Sequence, residues 1–180
     1  MVDIATSWTE QRAVWGKGEA NVLDAATNIE QALPFAIRGF DCDNGSEFLN
    51  WPLFKHFTER KRPVQFTRSR EYHKNDNAHI EGKNRTIVRQ YLGYERFDDP
   101  RIVPLMNDLY TTQWRLLLNV FMPSVKLIEK RREGSKTIKR QLSLLRNKLN
   151  PFDLQRRVVA KIKRILRLAT GASPLVQKAS

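Results

Sequence analysis

An α/β layered domain followed by a basic extension is the architecture the sequence predicts, on three observations. Segments with the two-residue period of strands alternate with segments of helical period through the first hundred residues. Hydrophobic residues make up 41% of the 180, enough for a sizeable core and too many for wholesale disorder. The charge is divided unevenly: residues 1–100 hold 14 Lys+Arg against 15 Asp+Glu, and residues 101–180 hold 18 against 4. All of the net +13 therefore comes from the second part, a distribution suited to neutralising phosphates on nucleic acid or, more plainly, to a solvated basic tail. No apolar run approaches the ~20 residues of a membrane span, and the start lacks the basic-then-apolar order of a signal peptide. A single cysteine, Cys42, excludes an internal disulfide and predicts a reducing, cytoplasmic setting. His56, His73 and His79 have no cysteine partners at zinc-ligand spacing.

Each element has its own signal. The opening "VDIATSWTEQRAVW" alternates small or β-branched residues with polar ones and predicts two strands, or one long hairpin, within a sheet. From Gly18 to Leu33, Val22, Leu23, Ala26, Ile29 and Leu33 recur at helical spacing, and Pro34 stops the helix. "FAIRGFDC" reads as a short buried strand that delivers Asp43 at its C-terminal end. "WPLFKHFTERK" follows as a helix with Pro52 tolerated in its first turn. "VQFTRSR" is another strand and "EYHKND" a polar loop. Asn77 to Tyr91 is a helix with Ile80, Ile87 and Tyr91 on one side, capped by Asn75 or Asp76. "IVPLMNDLYTTQWRLLLNVFMP" predicts an apolar helix packed on the sheet. "VKLIEKRREGSKTIKRQ" predicts a basic hairpin around Glu133-Gly134-Ser135. "DLQRRVVAKIKRILRLA" places Leu154, Val158, Ile162, Ile165 and Leu168 opposite Lys and Arg, an amphipathic basic helix for a nucleic-acid backbone, a partner helix or an anionic membrane. The division falls into a core over 1–122 and a basic extension over 123–180.

Two carboxylates carry the chemical question. Asp43 precedes Asn44-Gly45, a pair that supplies the positive φ of a tight turn, so a hairpin alone would explain it. A carboxylate at a strand end also suits a divalent ion, and Glu81 on the following helix could converge on the same ion. Positions 81, 85 and 89 fall on one helical stripe, which places Arg85 and Arg89 behind Glu81, with Lys83 nearby. The plain alternative is a surface Glu–Arg pair four residues apart.

Three blocks say more than spacing: "DCDNGSEFLN", "FTRSREYHKNDNAHIEGKNRTIVRQYLGYERFDDP" and "LLLNVFMPSVKLIEKRREGSK". Together they resemble the integrase-type catalytic domain of insertion-sequence transposases, relatives of retroviral integrase, over roughly residues 1–140. The resemblance implies a ribonuclease-H-like mixed sheet with flanking helices. It also implies two aspartates and a glutamate that bind Mg²⁺ or Mn²⁺, and DNA cleavage and strand transfer without a covalent enzyme intermediate. By motif, Asp43 resembles the second aspartate and Glu81 the glutamate. The first strand and first aspartate of the pattern have no match: the opening segment resembles the strands after it, and Asp3 sits one strand too late. The resemblance therefore implies an N-terminally truncated core, inactive alone, and homo-oligomerisation in the intact protein.

The phosphate contacts expected outside the Glu81 helix are Arg68 and Arg70, flanking the loop that holds Tyr72 and His73; Lys83, Arg85, Arg89, Lys130, Arg131 and Arg132 complete the DNA-binding set. Trp51 and Phe54 are expected in the core, base stacking being the alternative. Cys42 alternates with Asp41 and Asp43 and is expected to be buried on the opposite side. A DNA-binding remnant that does not cut, and a nuclease of the same fold that hydrolyses without joining, are the competing functions; no membrane partner is expected.

Overall fold

The computed structural model describes residues 1–42, 51–68, 88–94, 96–122 and 136–170. The fold is mixed α/β and mostly helical, with one two-stranded parallel sheet among the described residues. Helix α1 (Glu19–Ala32) begins with an acidic residue in its first turn, where the helix dipole favours one, and ends with the Leu33 N–H on the Glu30 carbonyl just before Pro34. Val22, Ala26 and Ile29 are its buried stripe, as the periodicity predicts. Strand β1 (Gly39–Cys42) pairs in parallel with β2 (Gln65–Arg68), Gly39 opposite Gln65 and Cys42 opposite Arg68. Parallel neighbours need a crossover, and helix α2 (Trp51–Thr58) lies on that connection.

The aromatic residues seal this unit. Phe40 of β1 stacks on Phe57 of α2 with centroids 4.3 Å apart, and Phe66 of β2 lies 5.5 Å from Phe40. Val22, Ala26, Phe40, Cys42, Leu53, Phe57 and Val64 form its buried cluster. Glu30 of α1 receives Arg60 at 2.8 Å and His56 at 3.0 Å, tying α1 to α2 and to the turn that follows it.

A second hydrophobic cluster belongs to the later helices. Short helix α3 (Gln90–Leu92) precedes α4 (Ile102–Leu109), which runs on through two π-helical turns, Tyr110–Trp114 and Leu117–Phe121. After α5 (Lys136–Lys148), α6 (Pro151–Ala169) starts with Pro151 at its first position, and Asn150 caps it by accepting from the Phe152 N–H at 2.9 Å. Ile102, Leu109, Tyr110, Trp114, Leu117 and Leu118 face Leu154, Val158, Ile162 and Ile165. The expectation that the 102–122 helix packs on the sheet is thus corrected: its apolar stripe is matched by the one on α6. The division at 122/123 runs through a core shared by helices on both sides of it.

Two further expectations change. The basic hairpin is predicted over residues 125–141; residues 125–135 lie outside the described ones, and its second arm is the start of helix α5. Lys, Arg, Gln and Leu dominate that segment, all strong helix formers, and Leu142, Leu145 and Leu149 recur at helical spacing. The opening segment does not join the sheet. Its hairpin is reduced to one antiparallel bridge between Val2 and Thr9, closed by a turn in which Asp3 Oδ2 accepts from the Thr6 N–H at 2.8 Å.

What holds the opening segment is α4. Asn119 Oδ1 accepts from the Thr9 N–H and its Nδ2 donates to the Thr9 carbonyl, both at 2.8 Å. Asn107 does the same for Ala13, at 2.8 and 3.0 Å. Two side-chain amides on a helix thus satisfy backbone groups that a neighbouring strand would otherwise have to pair.

Candidate nucleic-acid interface

The carboxyl ends of β1 and β2 lie on the same edge of the sheet, where open α/β folds place their ligands. Cys42 is buried and Asp41 exposed, in the alternation the sequence predicts. Asp41 Oδ1 accepts from Thr67 Oγ1 across the pair at 2.6 Å, and exposed Arg68 sits opposite Cys42 at the edge. Asp43 is the next residue in the chain. It lies outside the described residues, as do Glu81, Arg70, Lys83, Arg85, Lys130, Arg131 and Arg132. Tyr72 and His73, and the capping residues Asn75 and Asp76, lie outside them too. Of the ten predicted site residues the structure therefore places Arg68 and Arg89.

Both carboxylates carried over as metal ligands belong to the undescribed part, so the residues on view do not build the metal site that the resemblance implies. Among the described residues no three His, Cys, Asp or Glu side chains converge. Asp3, which sits one strand too late for the first aspartate, is committed to its own turn through Thr6.

Arg89 lies in the helix predicted over Asn77 to Tyr91, directly before α3, and its guanidinium lies 4.8 Å over the ring of Tyr94. Gly93 between them has φ 73°, a conformation that side chains disfavour, and its N–H closes the helix on the Arg89 carbonyl. Tyr94 is 80% exposed, so the cation–aromatic pair stands in solvent and is worth about 0.5–1 kcal/mol. Trp51 is corrected: it is 69% exposed, while Leu53 and Phe57, at the next turns of α2, fill the core. Phe54 is half-buried against Phe66.

Glu10 is the charged residue the sequence reading passed over. Its side chain is fully buried, and it accepts from Arg115 Nε at 2.6 Å, Trp8 Nε1 at 2.9 Å and Arg12 Nη1 at 3.5 Å. Burial lowers the Arg12 guanidinium from its ordinary range, an effect opposed by Glu10. The Met1 amino group, which donates to the Glu10 carbonyl at 2.8 Å, is lowered to about 6, chiefly by burial. A signal was available: Trp8, Glu10 and Arg12 alternate in an extended segment and share a face. This network anchors the opening segment on α4 and carries no chemistry of its own.

The basic surface lies on the last two helices. Arg140, Arg146 and Lys148 of α5 are exposed, as are Arg156, Arg157, Lys163, Arg164 and Arg167 of α6. Among the described residues their acidic partners are few: Asp108 binds Lys161 at 2.5 Å and Asp153 binds Arg156. Because Leu154, Val158, Ile162 and Ile165 are buried against α4, the apolar stripe of α6 is occupied and its basic side turns outward.

Among known proteins, the chain is similar to the uncharacterized protein y4rM of Sinorhizobium fredii, with 39% identity over 140 residues that cover 78% of this chain and 39% of that protein. No family model matches the chain, and no solved structure does. No helix among the described residues is long and apolar enough to cross a membrane.

Proposed function

We propose that this chain is part of the catalytic core of an integrase-type transposase, with a ribonuclease-H-like fold. In the intact, homo-oligomeric protein that core cuts DNA and joins its ends to a target. The observation that carries the reading is the run of consecutive motif blocks, "DCDNGSEFLN" followed by "HKNDNAHIEGKNR". A parallel β–α–β unit whose first strand leads directly into Asp43 supports it. In this reading Asp43 and Glu81 would help hold two Mg²⁺ or Mn²⁺ ions, which would supply activation of the attacking oxygen and stabilisation of the leaving one, a site incomplete in this chain. Arg68, at the same sheet edge, would meet a phosphate in this reading. The test is strand transfer by a longer protein that supplies the first strand and first aspartate of the pattern. Glu81→Gln should abolish joining and leave DNA binding nearly intact; retained joining would remove Glu81 from the site.

A second reading, DNA binding without cutting, is favoured by the exposed basic surface of α5 and α6, whose composition does not depend on the carboxylates. It predicts affinity that falls steeply with salt and ignores Asp43→Asn.

A further inference from the structure

We infer that the outer face of α6 is a sequence-independent docking surface for the phosphate backbone of duplex DNA. It rests on the reading of this protein as one that acts on DNA, but not on Asp43 or Glu81.

Three observations carry it. First, the orientation of α6 is set by its core: Leu154, Val158, Ile162 and Ile165 are buried, the last three at positions spaced four and three apart. Arg156, Lys163 and Arg167 then share the opposite stripe, with Arg157 and Arg164 beside it. Second, the nearby acids among the described residues are used up. Asp153 takes Arg156 and Asp108 takes Lys161, so Arg157, Lys163, Arg164 and Arg167 have no ion-pair partner among the described residues. Third, the spacing fits a polyanion. From 156 to 167 is eleven residues, or roughly 16 Å of helix, facing a duplex that carries about one charge per 1.7 Å of its axis.

The same observations argue against a lipid surface. A helix lying in a membrane interface inserts its apolar face, and here that face is spent on α4. Phe152 and Val159 are the large apolar residues that α6 leaves exposed, too few to replace it. A base-reading role is not needed either, since a row of arginines and lysines binds phosphate without regard to sequence.

The test uses the 180-residue chain and a labelled duplex of about 20 base pairs of arbitrary sequence, with affinity measured from roughly 50 to 200 mM salt. Neutralising Arg157, Lys163, Arg164 and Arg167 together to Gln, a good helix former, should weaken binding at least tenfold at low salt. It should also reduce the slope of log affinity against log salt by about three to four. Replacing the three arginines by Lys should restore most of the slope. The control removes four exposed charges elsewhere, Arg38, Lys55, Lys61 and Arg62 to Gln. An equal loss in the control would mean that net charge alone binds DNA and would overturn the assignment. So would tighter binding of the unchanged protein to anionic phosphatidylserine vesicles than to DNA. If the intact protein joins no DNA ends while the α6 variant of the 180-residue chain still loses DNA, the transposase assignment falls and the docking surface stands.

Discussion

The α/β unit and the helical unit of this molecule solve the same problem with different materials. Between Glu19 and Arg68 a small cluster is closed by three phenylalanines, with charge near balance and one ion-paired seam at Glu30. Between Gln90 and Ala169 two long amphipathic helices cover each other's stripes, and the charge excluded from their core collects outside as a basic surface. Asp43 follows directly on β1 of the first unit, and the charge that suits a polyanion belongs to the second. The opening segment joins them: Glu10 reaches Arg115, and Arg115 also donates to the Ala32 carbonyl at the end of α1.

The contrast can be broken most severely in the cores. Trp114 is 2% exposed and meets Tyr91 edge-on at 4.9 Å, so Trp114→Ala should cost about 3–5 kcal/mol in denaturant unfolding. Phe57→Ala should cost a similar ~3–5 kcal/mol, but hydrogen exchange should show the loss in α1, α2 and the strands before it reaches α6. Uniform loss of protection across α6 in that variant would mean that the two clusters form one cooperative unit.

A smaller effect is expected at the joint. Glu10→Gln leaves Arg12 and Arg115 without their carboxylate and should cost about 2–3 kcal/mol, reduced from a fully buried pair because Arg115 is partly exposed. Asn107→Ala and Asn119→Ala each strand a backbone N–H and carbonyl, for about 1–2 kcal/mol apiece, and should free the opening segment to proteolysis while the helices stay folded.

The smallest effect is confined to alkaline solution. Burial raises the Tyr110 phenol well above its ordinary value of 10.0, so the unfolded chain releases that proton first. Stability from this group is intact below pH ~10 and falls as pH rises beyond it, at up to about 1.4 kcal/mol per pH unit. Tyr110→Phe should flatten that limb in pH-dependent melts, and an unchanged limb would place the cause in other groups.

Local rules made much of this molecule legible. The α1 stripe, its stop at Pro34, the burial of Cys42 beside exposed Asp41, helix α2 with Pro52 in its first turn and the stripe of α6 all follow from period and breaker residues. These signals lie within a few residues of the structure they specify. For the site, Arg68 at the sheet edge was legible in the same way, while the placement of Asp43 and Glu81 lies outside the described residues.

Partner choice was not legible, because periodicity shows that a face is apolar and not what covers it. The stripe of α4 would suit a sheet as well as a helix, and only the tertiary structure matches it to α6. Alternation likewise marked the opening segment as extended, but its backbone is paired by Asn107 and Asn119, more than ninety residues away in the chain. The sequence by itself determined the period of each element and the separation of charge; the tertiary structure decided which faces meet. The physical reason is that hydrophobic burial is non-directional, and complementary partners far apart in the chain become visible only once it has folded.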